Sequence, residues 1–413
     1  MAQERKSRRF RIAAAVAMWL SITAIALFAS CGTPERENGN SLYGGNQVPQ
    51  LAGTPPQPLQ RQGTTTDGSV AKTKPVENAQ SAPARRANPQ QSEVKGIYVS
   101  GPAAGSVKKM NRLIRLADRT EINAMVIDVK NDAGRITYDS AVPLAGRIGA
   151  DRGAPIRDIQ ALLKRLKDHR IYTIGRVVVF KDPYLAAKLP HLAMRGKTGG
   201  TRRNRESANW VDPYLQEAQQ YVIDIAKEAA QLGFDEIQFD YVRFPADSNN
   251  RGTLSPSDKP TKAQAIESFL RAAYRELSPL GVRVSADLFG LTTTADDDMG
   301  IGQLWALLAD EVDVLSPMVY PSHYAPGVYG LKHPDLHPEE VVRRALMDGI
   351  DKNKALPAEK RAEIRPWLQA FTAGWIHPHL DYGKKEIRAQ IEAAGKLGIH
   401  GYLLWNPKCE YSL

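Results

Sequence analysis

The sequence predicts an α/β fold: a closed (β/α)8 barrel of the TIM type, carried behind a disordered N-terminal tether. Three observations predict it. Eight short runs rich in β-branched residues follow Glu93. Longer stretches with apolar residues at three- and four-residue spacing separate them. Several of those stretches end in one device, QLGFDE, PLGVRV and KLGIHG, where a glycine suits a left-handed helix cap that turns the chain into the next strand.

The strands are predicted in order at VKGIYVS (94–100), AMVIDVKN (124–131), YTIGRVVVF (172–180) and EIQFDYVRF (236–244). The second four are VRVSADLFG (282–290), DVLSPMVYP (313–321), IRPWLQAF (364–371) and GYLLWNP (401–407). Between them run SVKKMNRLIRLADRT, PIRDIQALLKRLKDHR, PYLQEAQQYVIDIAKEAAQLG, KAQAIESFLRAAYRELSPLG, IGQLWALLADE, PEEVVRRALMDGIDKNKAL and KKEIRAQIEAAGKLG, each patterned as an amphipathic helix. Strand and helix alternating in this way describe a parallel barrel, with the eighth helix missing or vestigial. An open doubly wound sheet is the rival. It announces itself with a glycine-rich turn after its first strand, and SGPAAGS lacks the GxGxxG spacing.

The 413 residues divide into three expected regions: a signal segment over 1–31, a linker over 32–92 and the barrel domain over 93–413. Arg5, Lys6, Arg8, Arg9 and Arg11 precede the apolar run IAAAVAMWLSITAIALFAS, and LFASC resembles a bacterial lipobox with Cys31 as the lipidated residue. An uncleaved signal anchor is the other reading. Both place the barrel outside the cytoplasm, tied to the cell envelope as a membrane-anchored protein. Residues 32–92 are dominated by Pro, Gly, Gln, Asn, Thr and Ser, which bury too little surface to offset chain entropy. As a flexible coil they would reach about 45 Å. With Cys31 lipidated, Cys409 has no disulfide partner, and the fold is expected to stand without one. Of the net charge of +10, +4 lies in residues 1–30, +2 in 31–92 and only +4 in the barrel. Basicity spread this way does not make a nucleic-acid-binding face.

Active sites of such barrels lie at the C-terminal ends of the strands, and side-chain alternation selects the residues that reach them. Strand two offers Asp128, Lys130 and Asp132; strand three, Arg176; strand four, Gln238 and Asp240, with Arg243 just beyond. Strand five offers Ser285 and Asp287, strand six Met318 and Tyr320, strand seven Gln369, and strand eight Trp405 and Asn406. Asp240 and Asp287 are expected to face inward at one height on neighbouring strands, within about 5–6 Å, the separation of a retaining glycosidase pair. Repulsion between them would raise one pKa, as a general acid needs. The plainer expectation is a salt-bridge web in which Asp128, Arg176, Asp240, Arg243 and Asp287 only hold the mouth together; Lys130 and Asp132 read as loop-edge charges. Tyr98, Tyr241, Tyr320, Trp210, Trp375 and Trp405 fall at strand ends or in the following loops, where flat rings suit sugar faces or simply close the core.

IDVKND on strand two, FDYVRFP on strand four and SADLFG on strand five, with SPMVYPSHY in support, resemble a bacterial domain family labelled "putative glycoside hydrolase". That family is expected to form a TIM barrel distantly related to the α-amylase-like hydrolases, and the resemblance spans roughly residues 94–407. It implies Asp240 as nucleophile and Asp287 as acid/base. Asp128 or Arg243 would adjust charge, and Arg176, Tyr320, Gln369, Trp405 and Tyr98 would hold substrate. The arginine that α-amylase-like enzymes carry two residues before the nucleophile is replaced by Gln238. Their aspartate after strand seven has Gln369 nearest.

Other signals are weaker. RGKTGGTRRNR (195–205) contains GKT without the rest of a phosphate loop and reads as a basic or mobile loop. TTTADDDMG lacks calcium-ligand spacing, and Asp296 to Asp298 are expected to neutralise a helix N-terminus. His323, His333, His337, His377 and His379 form no recognisable metal motif, so no metal or cofactor is expected. The sequence therefore predicts a glycosidase acting on an extracytoplasmic polysaccharide. A catalytically idle sugar-binding barrel and a metal-dependent deacetylase or amidohydrolase are the alternatives.

Overall fold

The computed structural model describes residues 93–194, 209–246 and 260–413. The expected signal segment, Cys31, the linker and the 195–205 loop lie outside these residues.

Nine strands form one parallel sheet: β1 Lys95–Val99, β2 Ala124–Lys130, β3 Tyr172–Val178, β4 Glu236–Asp240, β5 Arg283–Phe289, β6 Val314–Met318, β7 Glu363–Ile364, β8 Trp367–Gln369 and β9 Tyr402–Trp405. The sheet runs β5-β4-β3-β2-β1-β9-β8-β6-β7, and β5 also pairs with β6, which closes it. The barrel has eight staves, because β7 and β8 are two pieces of one. Arg365 and Pro366 separate the pieces, and proline, with no N–H to give, interrupts a ladder. Every predicted strand is present.

The longer helices form where the periodicity places them. Val107–Ala117, Ile159–Asp168, Gln216–Leu232, Lys262–Leu277, Pro338–Lys354 and Lys384–Gly395 each bury their apolar stripe on the barrel. Their starts carry caps: Asp158 Oδ1 accepts from the Ala161 N–H at 2.8 Å, and Thr261 and Gln264 form a reciprocal capping box. Gly233, Gly281 and Gly398 adopt φ of 109°, 84° and 80°, the left-handed turns expected before β4, β5 and β9.

The IGQLWALLADE stretch is helical only over Trp305–Leu308. Met299, Gly300 and Gly302 before it all have positive φ, so the chain cannot enter a helix earlier. Asp297 and Asp298 accordingly accept the Met299 and Gly300 N–H groups in turns and do not sit at a helix start. After β9 the chain folds back over β1: the Tyr411 hydroxyl donates to the Tyr98 carbonyl at 2.7 Å, and Cys409 Sγ accepts the Ser100 N–H at 3.3 Å.

At the lower end the interior is ionic. Arg365 on the β7–β8 join donates to Glu236 at the start of β4, which also accepts from Ser285, and all three are fully buried. Burial raises the Glu236 carboxyl, but Arg365 and Arg283 outweigh it and hold the group below its usual value. Together they make a polar floor beneath the mouth.

Candidate active site

Asp128, Arg176, Asp240 and Asp287, among the residues predicted to reach the mouth, converge there. In the β3–β4 ladder Arg176 stands opposite Gln238, and Asp128 on β2 stands opposite Arg176. The Arg176 guanidinium donates through Nε and Nη2 to Asp240 Oδ2 at 3.0 and 2.5 Å, and through Nη1 to Asp128 Oδ1 at 2.6 Å. Asp240 ends β4, and Tyr241 follows it with φ of 51°, a left-handed turn that aims the Tyr241 N–H at Asp240 Oδ1, 2.6 Å away. The second Asp128 oxygen accepts from the Tyr98 hydroxyl at 2.7 Å. Burial pushes the Asp128 carboxyl up, and Arg176 and Tyr98 offset only part of that. For Arg176, burial favours the neutral form, but Asp240 and Asp128 prevail and the guanidinium stays charged.

Asp287 has different company. The β4–β5 ladder pairs Gln238 with Ser285 and Phe239 with Ala286, so Asp240 and Asp287 come next, abreast on neighbouring staves about 4.8 Å apart. Asp287 Oδ1 accepts one bond, from the Trp367 indole N–H at 2.8 Å. Among the described residues Oδ2 has no hydrogen-bond partner. Burial first, and then the negative charge of Asp240, push the Asp287 carboxyl well above the usual carboxylate range, more than Arg176 and the indole pull it back. Its backbone is fixed by Gln303, whose amide donates to the Asp287 carbonyl at 3.1 Å and accepts from the Phe289 N–H at 3.0 Å.

Aromatic rings line the same mouth. Tyr98 and Trp405 pack at 4.1 Å between centroids, Trp367 meets Trp405 edge-on at 5.6 Å, and the Arg176 guanidinium lies 5.3 Å from Trp405 and 5.7 Å from Tyr98. Tyr320 is close enough to Asp287 and Asp240 that both, after burial, raise its hydroxyl pKa. Beyond it lie His323 and Phe371, edge-on at 5.3 and 5.8 Å. Burial lowers the His323 pKa to about 3, so the ring is neutral at any ordinary pH.

Three expectations need correction. Gln369 is not available to a ligand: its Oε1 accepts the Ser322 N–H at 3.0 Å, and its Nε2 donates to Phe371 O and Asp335 Oδ1 at 3.0 and 3.3 Å. Arg243 lies among aromatic rings: it packs against Phe289, Trp210 and Tyr241 at 4.5, 4.7 and 5.3 Å and donates to Phe244 O. Lys130 is no loop-edge charge. A bulge after Asp128 shifts the β2 register, and Lys130 is fully buried in an ion pair with Asp182 at 2.8 Å. Asp132 does pair near the rim, with Lys181 at 3.1 Å. Trp210 is core, while Trp375 stacks on Phe371 at 6.1 Å.

Trp367 and Gln303 were not picked out by sequence reasoning. Trp367 shares the parity of Gln369, so alternation alone could have found it; the signal from Gln303 lies wholly in its fold-dependent partners. Among the described residues no three of His, Cys, Asp and Glu gather to hold a metal ion.

Comparison with known proteins agrees with this barrel. Residues 96–411 match the family described as "Putative glycosyl hydrolase domain". No curated protein matches the chain. A hypothetical protein from Ruminiclostridium thermocellum is 41% identical over 46% of this chain and 96% of its own, with a TM-score of 0.42. The PgaB (BpsB) glycoside hydrolase domain from Bordetella bronchiseptica is 16% identical over 77% of this chain and 95% of its own, with a TM-score of 0.54, a likeness of fold. A chitinase from Chromobacterium violaceum is 14% identical over 77% of this chain and 95% of its own, with a TM-score of 0.45. The family match covers nearly the whole barrel, and the chain belongs to this family of glycosyl hydrolase domains.

Proposed function

We propose that the chain is a retaining glycoside hydrolase in which Asp240 is the nucleophile and Asp287 the general acid and base. The observation that carries this reading is the unequal treatment of two neighbouring carboxylates. Asp240 receives two N–H groups of a charged guanidinium and one backbone N–H, which hold its two oxygens in place. Asp287 receives, among the described residues, a single neutral donor and is raised by burial and by Asp240. One carboxylate is thereby prepared to attack the anomeric carbon, and the other to protonate the departing oxygen. Asp287, deprotonated by that step, then takes a proton from the water that releases the sugar from Asp240. Adjacent staves suit the short separation that retention requires, about 5–5.5 Å.

The arginine missing two residues before Asp240 has a counterpart in Arg176, which reaches the same carboxylate from the neighbouring strand. Tyr98, Trp405 and Tyr320 are suited to sugar rings, and Asp128 to tuning the charge on Arg176. The kinetic test uses a panel of cell-wall and capsular polysaccharides. On whichever glycan the wild type cleaves, Asp240→Asn and Asp287→Asn should each lower kcat by at least about 10²-fold. Unchanged turnover in either variant overturns the assignment. Binding by the wild type with no product after long incubation would favour an idle sugar-binding barrel.

We further propose, from the lipobox-like LFASC segment, that Cys31 carries a lipid and the barrel works on an envelope polymer. Metabolic labelling with a radioactive fatty acid should mark the wild type and not Cys31→Ser. An unlabelled, soluble wild type refutes the anchor.

A further inference from the structure

We infer that Trp367 is a positioning residue that decides which oxygen of Asp287 carries the acid proton. This rests on the assignment of Asp287 as the acid. An indole N–H can only donate. It sits on Asp287 Oδ1 at 2.8 Å, so that oxygen must remain an acceptor. In a neutral carboxyl the carbonyl oxygen accepts better than the hydroxyl oxygen. The proton therefore belongs on Oδ2, the oxygen with no partner among the described residues.

Neither partner is free to turn. Trp367 is buried, packed edge-on against Trp405 at 5.6 Å, and its backbone pairs with Met318 and Leu403 in adjoining strands. The Asp287 backbone is clamped by Gln303 at the Asp287 carbonyl and the Phe289 N–H. Without the indole, the carboxyl could turn over and present its proton to the wall of the barrel. The same bond strengthens when Asp287 ionises, because a carboxylate accepts better than a carboxyl. Trp367 thus aims the proton and also limits how firmly Asp287 holds it.

The test is a pH titration of the full chain by NMR, reading the indole N–H signals of the six tryptophans. One indole proton should move downfield as Asp287 ionises. That signal should be missing in Trp367→Phe and should stop titrating in Asp287→Asn. In Trp367→Phe the Asp287 carboxyl carbon should titrate about one pH unit higher than in the wild type, the worth of one hydrogen bond. With a cleavable glycan, Trp367→Phe should lower kcat, leave KM in place and move the alkaline limb of the pH profile upward. An indole signal indifferent to Asp287, or an unmoved Asp287 midpoint in Trp367→Phe, overturns the inference. The wild-type titration decides the matter even if Trp367→Phe does not fold. None of the NMR readouts needs turnover, so a chain that cleaves no glycan would refute the catalytic reading and leave this one standing or falling by itself.

Discussion

Arg176 closes on one oxygen of Asp240, with Nε and Nη2 both directed at Oδ2, and leaves Oδ1 to a backbone N–H. It binds Asp128 with its remaining arm. One buried cation therefore holds two carboxylates at fixed positions, and a third, Asp287, stands beside them with no ion pair of its own among the described residues.

Removing that cation should be costly. Arg176→Met leaves Asp128 and Asp240 buried and unpaired, and should destabilise the barrel by about 3–5 kcal/mol in urea unfolding. Arg176→Lys keeps the charge but cannot bridge both carboxylates through a planar fork, so it should restore only part of the loss. An Arg176→Met variant as stable as the wild type would show that this guanidinium does not hold the two carboxyl groups in place.

Asp287 makes stability depend on pH with a definite sign. Its pKa is raised on folding, so its contribution is fully present below the unfolded carboxylate pKa and is lost as pH rises through the folded value. Asp287→Asn removes this dependence. The variant should gain on the wild type by about 1.4 kcal/mol for each pH unit between the unfolded carboxylate pKa and the folded midpoint, the gain should level off above that midpoint, and it should vanish in acid. Thermal melts from acid to alkaline pH measure it.

Glu236 should behave in the opposite way. Its folded pKa is depressed by Arg365 and Arg283 against the effect of burial, so its contribution is present above the unfolded pKa and is lost as pH falls through the folded one. Glu236→Gln should be less stable than the wild type by about 3–5 kcal/mol at neutral pH, with the gap closing in acid. Acid-unfolding curves of the two proteins, followed by circular dichroism, would show this.

Gln369 and Trp405 separate scaffold from cleft. Gln369→Glu places a carboxylate against Asp335 and should cost about 1–3 kcal/mol of stability without changing KM. Trp405→Ala removes a half-buried ring at the mouth and should raise KM for a cleaved glycan about tenfold. A Gln369→Glu variant with normal stability and a raised KM would return Gln369 to the substrate.

The barrel was legible in the sequence because helix and strand periods are local properties. Glycine caps, β-branched runs and apolar stripes each report on neighbours a few residues away, and together they located every stave. Asp128, Arg176, Asp240 and Asp287 were legible for a related reason, since alternation fixes which side of a stave a residue faces. What alternation cannot contain is the partner. Lys130 carries the inward parity of Asp128, yet a bulge of one residue sends it to Asp182. Arg243 follows Asp240 by three positions, yet packs among aromatic rings. Gln369 has the parity of a ligand contact and spends its amide on Ser322, Phe371 and Asp335.

The sequence by itself determined the staves and the face each side chain presents, because those depend on bonds between near neighbours. Only the closed barrel decided that Arg176 would join Asp240, 64 residues away, and that Trp367 would cap Asp287, 80 residues away. The raised Asp287 carboxyl follows from its burial beside Asp240 in the closed barrel. A pKa responds to charge and water within a few ångströms of space, and such distances exist only once the chain has folded.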